Sequence, residues 1–281
     1  MRHAVRRCEP SFRPGLVAIA LVTVVLTTLL AGCGGSSGTH PGPTPSGEVI
    51  RIAGGTATPY GVGAGRVWIL IPRRGAIGSV VVYLHGWTAY LPFDWQQTWF
   101  EHLLARGSAI VFPAYQDGID DSFVVAPYDM RDGLVLGFRA LRRPNLPVVA
   151  VGFSLGATLA FVYAAQAGEW GVPVPKAVYS IFPVDPYEVE PSLDLAAIHG
   201  IPVLLRAGDH DDVVGRIGSD ALAAMLGAGE KRLLDYRIIH SGKRLWADHE
   251  LLPTSAWDPA TRKVFWTPLD RLVQTTRAAS R

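Results

Sequence analysis

Cysteine is nearly missing from this chain: its 281 residues include two, Cys8 and Cys33. Residues 34–281 therefore contain no disulfide framework, no thiol nucleophile and no thiolate metal site. Charge is scarce too, at 18% of residues with a formal balance of +2. Setting aside the four arginines and one glutamate of residues 1–32 leaves 22 basic and 23 acidic side chains, so the excess of positive charge belongs to the N-terminus. With no basic surplus beyond it, neither a nucleic-acid partner nor a polybasic membrane patch is expected. Long uncharged apolar runs are absent with one exception, "GLVAIALVTVVLTTLLAG" at residues 15–32.

That exception follows a basic opening, "MRHAVRRCEPSFRP", and precedes small residues. A basic segment, an apolar segment and a small-residue cleavage site read as an export signal over residues 1–32. A membrane-spanning helix is the alternative, since the run is near the shortest length that crosses a bilayer. "LAGC", Leu30 to Cys33, resembles the lipobox of bacterial lipoproteins. The resemblance implies that Cys33 becomes a lipid-bearing N-terminus, anchored to the outer face of a bacterial membrane, and two acyl chains hold far more firmly than one. "GGSSGTHPGPTPSG", residues 34–47, has no periodic apolar face and reads with Cys33 as a tether, residues 33–47, whose fourteen linker residues reach roughly 20 Å.

From residue 48 to 281 the composition supports one sizeable core. Short β-branched runs alternate there with segments of helical period. The expected strands are 48–53, 65–72, 79–86, 108–115, 147–154, 176–183, 201–208 and 233–241, several apolar almost throughout, as strands buried on both faces are. "FDWQQTWFEHLLARG" and "YDMRDGLVLGFRALRR" read as helices, the second with Met130, Leu134, Phe138 and Leu141 on one face. The expectation is an α/β fold: a mostly parallel eight-stranded sheet with helices on both faces, two antiparallel strands at its start, and ligands at the strands' carboxyl ends.

"GFSLG", residues 152–156, and "GGSSG", residues 34–38, share one pattern, Gly-x-Ser-x-Gly. Ser36 sits in the tether, without a base or rigid support, and is discarded. Ser154 lies between an apolar strand and an apolar helix, where glycines let the two approach and the turn lifts the hydroxyl clear of the sheet. The first N–H groups of the helix would face any negative charge that develops there. A bare turn and helix-capping role is the blander reading.

With these segments, residues 48–275 resemble the α/β-hydrolase family. The resemblance implies a nucleophile, acid, histidine order along the chain. "YLHGWTAY", residues 83–90, is similar to the family's oxyanion segment, which implies that the Trp87 N–H pairs with that of Leu155; each such donor is worth about 3 kcal/mol in the transition state. His85 itself reads as a structural hydrogen-bonder. "LLRAGDHDDVVG", residues 204–215, resembles the acid segment and implies Asp211, with Asp212, Asp209 and Asp185 as competitors; a metal site in this cluster is disfavoured because adjacent turn residues rarely converge on one ion. His249, in a loop, is favoured over His240, which closes a strand; His102, His199 and His210 read as surface or helix-end residues.

The resemblance implies a serine hydrolase acting on carboxylic esters through an acyl-enzyme, with no cofactor and no metal. Only residues 184–200 occupy the interval where many relatives carry a cap domain, so no large cap and a fairly open cleft are expected. Dienelactone-hydrolase and small carboxylesterase branches are the nearest in kind. Trp87 and Tyr90 are candidates to line an acyl site, while Phe93 and Trp95 either line it or pack the following helix. An envelope acyltransferase using the same three residues, a peptidase, and a non-catalytic binding protein on this scaffold remain alternatives.

Overall fold

The computed structural model describes residues 42–280. The export signal, Cys33, Ser36, His40 and the tether up to residue 41 lie outside the described residues.

The strands are β1 (Ile50–Ile52), β2 (Gly55–Tyr60), β3 (Val67–Pro72), β4 (Ser79–Leu84), β5 (Ser108–Pro113), β6 (Val148–Phe153), β7 (Ala177–Ile181), β8 (Val203–Gly208) and β9 (Leu234–Ile239). They form one sheet in the order β1-β2-β3-β5-β4-β6-β7-β8-β9. The pairs from β1 through β3 to β5 are antiparallel; those from β5 through β9 are parallel. The sheet thus has nine strands rather than eight. The additional one is β2, "GTATPY", which pairs with β3 over its whole length. Glycine and proline disguise it in the sequence. Pro59 is tolerated because β1 pairs only with Gly55–Ala57, so that the outer side of Pro59 needs no ladder donor.

Helix α1 (Gln97–Ala105) falls within the first expected segment, α2 (Ala126–Leu141) overlaps the second but begins two residues before it, and α3 (Leu155–Gln166) follows Ser154 directly. Beyond them come α4 (Pro186–Val189), α5 (Ile217–Met225), α6 (Leu251–Ser255), α7 (Pro259–Thr261) and α8 (Thr267–Ala279). Strand alternation divides the core in two. Val80, Val82 and Leu84 join Met130, Leu134 and Leu159 in one cluster, whereas Val81 and Tyr83 join Trp99, Phe100 and Leu269 in the other. Both faces of β4 are therefore covered, which is why "SVVVYL" shows no polar alternation. Tyr83 anchors the second layer through an edge-to-face contact with Phe100, ring centroids 4.8 Å apart.

β4 lies between β5 on one side and β6 on the other, so the chain reverses its direction across the sheet there. At such a reversal the connections leave the strand ends on opposite faces and open a crevice at the carboxyl edge. The turn after β4 and the turn carrying Ser154 both meet at that crevice.

Candidate active site

Ser154 joins β6 to α3 with φ 56° and ψ −124°, a backbone conformation that L residues seldom adopt. Its N–H donates to the Ile181 carbonyl at 3.0 Å, which ties the turn to β7. The flanking glycines are sterically required: a Cβ on Gly152 would stand 1.9 Å from the Gly156 carbonyl oxygen, and one on Gly156 would stand 2.1 Å from that of Leu84. Strand, turn and helix are pressed together there, and the serine side chain projects into the crevice.

His249 reaches Ser154 from the loop after β9. Its Nε2 lies 2.9 Å from Ser154 Oγ and its Nδ1 lies 2.9 Å from Asp211 Oδ2. An ionised carboxylate only accepts, so Nδ1 carries the proton and Nε2 offers its lone pair to the serine hydroxyl. The other Asp211 oxygen accepts the N–H groups of Val213 and Val214 at 3.1 and 3.0 Å. Burial pushes the Asp211 carboxyl up, but the hydrogen bonds from His249, Val214 and Val213 together outweigh it and hold the carboxyl below its ordinary value. Phe153 and Phe182 flank the imidazole, with ring centroids 5.1 and 6.2 Å away.

The competing acid and base have another task. Asp209 accepts from the Ser241 N–H and hydroxyl, and His240 Nδ1 lies 3.3 Å from the same carboxylate. Ser241 Oγ in turn accepts the Ala247 N–H at 2.8 Å, and the His210 N–H donates to the Ala247 carbonyl. This bracket ties the loop bearing His249 to the end of β8. The hydrogen bond from His210, joined by those from Ser241, holds the Asp209 carboxyl well below the usual carboxylate range. Asp212 is exposed, and Asp185 caps α4 through the Tyr187 N–H. His102 pairs with Asp270, and His199 is exposed beside Glu230.

Leu155 is the first residue of α3, where a helix leaves its N–H without an internal acceptor. Across the crevice is the turn after β4. Its Ala89 N–H returns to the Gly86 carbonyl and its Thr88 N–H donates to Gln116 Oε1 at 2.8 Å, while among the described residues the Trp87 N–H has no backbone acceptor. Thr88 has φ 70°. Gln116, fully buried after β5, also donates from Nε2 to the Gly118 carbonyl, so one amide side chain fixes a strained turn. Nothing in the sequence marks Gln116, because a lone glutamine carries no spacing signal. His85 is buried between the Gly86 and Ala114 carbonyls with its ring stacked on Tyr115, and burial lowers it to about 4.

Ser154 and His249 line a cleft of about 710 Å³. Trp87, Trp95, Phe123 and Phe153 line it, and Tyr90 does not. Of the two residues with two readings, Phe93 packs edge-on against Trp68, whereas Trp95 faces the cleft against Phe153. Between β7 and β8 the chain adds only α4 and a short turn at Leu195–Ala197. No group of three metal-ligating side chains occurs among the described residues.

No protein-family model and no curated protein matches the sequence. Solved structures do. One of two fungal esterases from Rhizomucor miehei superposes with a TM-score of 0.57 at 17% identity, covering 86% of this chain and 85% of its own. A cold-adapted esterase from an Arctic intertidal metagenomic library gives 0.58 at 15% identity, covering 82% and 98%. A predicted CIB-like hydrolase from Thermoplasma acidophilum gives 0.54 at 16%, covering 79% and 100%. With its strand order and these matches together, the chain adopts the α/β-hydrolase fold.

Proposed function

We propose that this protein is a serine hydrolase that cleaves carboxylic esters, with Ser154 as nucleophile, His249 as general base and acid, and Asp211 as the carboxylate that orients it. The observation that carries this reading is the pair of 2.9 Å contacts linking Ser154, His249 and the buried Asp211, the first two of which line one cleft. The esterase names of the structural neighbours support ester bonds as the target.

In this mechanism Ser154 Oγ attacks the substrate carbonyl carbon as its proton passes to His249 Nε2, and the carbonyl electron pair moves onto oxygen. The N–H groups of Trp87 and Leu155 receive that oxyanion. Collapse of the tetrahedral species expels the alcohol, which takes the proton from Nε2. Water, deprotonated by the same nitrogen, then releases the acyl group and restores the serine. Asp211 stays ionised throughout and stabilises the transient imidazolium. The test is a fluorophosphonate probe, which should label the wild-type protein and not Ser154→Ala; equal labelling of both would overturn the assignment.

Gln116 should matter through the Trp87 N–H. Gln116→Leu is expected to lower kcat by about a hundredfold, the effect of misplacing one oxyanion donor, with a small change in KM. A comparison of oxoester and thionoester hydrolysis checks this, because a defect confined to oxyanion binding costs the oxoester more.

We infer separately that residues 1–32 are an export signal and Cys33 the lipid-bearing N-terminus, an anchor to the outer face of a bacterial membrane. "LAGC" and the apolar run before it support this. Wild-type protein should sediment with membranes and incorporate labelled palmitate. Cys33→Ser should incorporate none.

A further inference from the structure

The cleft has a charge that the protein as a whole lacks. Residues 33–281 are close to neutral, with 22 basic and 23 acidic side chains. Yet Asp94, Asp185, Glu188 and Glu250 all line the cleft, and no lysine or arginine does. These carboxylates come from three separate stretches of chain, before α1, at α4 and beside His249, so they are not one solvated acidic run. Asp94 and Asp185 accept the backbone N–H groups of Trp95 and Tyr187, which satisfies one oxygen of each and leaves the charge in place. Among the described residues none of the four takes part in an ion pair. The cleft's one titratable base, His249, is already engaged with Asp211.

Aromatic rings share the same walls. Trp87 is held edge-on to Phe123 and Trp95 edge-on to Phe153, with ring centroids 4.7 and 5.4 Å apart. A cation over such faces is attracted by the ring quadrupole, most strongly by tryptophan. A metal ion would need three or more oxygens converging on a point, whereas these carboxylates are spread around a rim. A large, weakly hydrated organic cation suits rings and dispersed carboxylates together.

Resting on the serine-hydrolase reading above, we propose that the cleft selects esters carrying an ammonium or guanidinium group within a few bonds of the carbonyl, and disfavours esters with a free carboxylate or phosphate there. The acidic rim draws the cation in, and the aromatic walls hold it while Ser154 attacks. The oxyanion is received by uncharged backbone N–H groups, so the cationic preference belongs to the substrate's remote part.

The test compares kcat/KM for isosteric pairs. Trimethylammonioethyl butyrate is set against dimethylbutyl butyrate, in which carbon replaces the charged nitrogen. On the acyl side, the nitrophenyl ester of trimethylammoniobutyric acid is set against its carbon isostere, with nitrophenyl hemisuccinate as the anionic member. At low ionic strength we expect the cationic ester of at least one pair to be favoured about tenfold, and the hemisuccinate to be the poorest nitrophenyl ester. Because these carboxylates are mostly exposed, the preference should shrink at about 0.5 M salt, where screening is complete within a few ångströms. It should also shrink in the Glu188→Gln/Glu250→Gln variant. The readout is a ratio, so a general loss of activity cancels; should that variant not fold, the salt dependence of the wild type decides.

Ratios at or below one for both pairs would overturn the proposal, as would a preference that neither salt nor the double variant alters. If neutral esters are hydrolysed and Ser154 is labelled, that failure leaves the serine-hydrolase reading intact. If no ester is hydrolysed and Ser154 is unlabelled, both fall.

Discussion

Ser154→Ala is expected to reduce kcat on aryl esters by about a million-fold, the scale seen when the nucleophile of such a relay is removed. The magnitude follows from what the alanine leaves behind. His249 still faces the cleft and the Trp87 and Leu155 N–H groups remain, so water can be activated weakly, but no covalent acyl-enzyme forms. Backbone strain is not relieved, since alanine at φ 56° has the same Cβ as serine. The variant should therefore fold with nearly wild-type stability, and KM should change little. A burst of nitrophenol in pre-steady-state kinetics should appear for the wild type when deacylation is the slower step, and be absent from the variant. A variant with more than about a hundredth of wild-type kcat would show that another group supplies the nucleophile.

Asp211→Asn should lower kcat by about ten-thousand-fold, whereas Asp209→Asn should cost less than about tenfold. Asparagine at position 211 can turn its amide N–H toward Nδ1. The imidazole then carries its proton on Nε2, and the lone pair that should take the serine proton is lost. At position 209 an amide still accepts from Ser241, so the bracket that holds the His249 loop keeps much of its hydrogen bonding. The two variants side by side in one kinetic assay decide which carboxylate serves the imidazole. Comparable losses from both would contradict the assignment.

Wild type and Asp211→Asn should also differ in their response to acid. The folded Asp211 carboxyl lies below its ordinary value, which is about 3.9 for an unfolded aspartate. Its contribution to stability is therefore complete above that value and is lost as the pH falls through the lower, folded one. Asp211→Asn lacks this acid-dependent component. Urea midpoints of wild type and variant should thus approach each other as the pH drops below about 3.9.

The four aromatic residues and four carboxylates of the cleft show how differently features can be visible in a sequence. Trp87 stands beside a glycine in a recognisable segment, so its placement follows from local spacing. Phe123 belongs to a loop with no pattern of its own, and only the packing of that loop against Trp87 brings it into the wall. Asp94, Asp185, Glu188 and Glu250 are ordinary surface carboxylates in sequence, and their common field exists only after three connections converge. β2 was hidden for a related reason: its pairing with β3 overrides the weak strand preference of glycine and proline.

By itself the sequence determined what depends on neighbours along the chain. The β6–Ser154–α3 junction is of this kind, because Gly152 and Gly156 are needed wherever a strand turns sharply into a helix, and so are the apolar strands buried on both faces. Tertiary structure alone decided which of Asp209 and Asp211, and which of His240 and His249, stands in line with Ser154. Those pairs lie only two and nine residues apart, on loops whose local chemistry is alike. The bracket from Asp209 through Ser241 to Ala247 sets the loop's path, leaves His240 outside and carries His249 inward, and such a bond between segments has no trace in local periodicity.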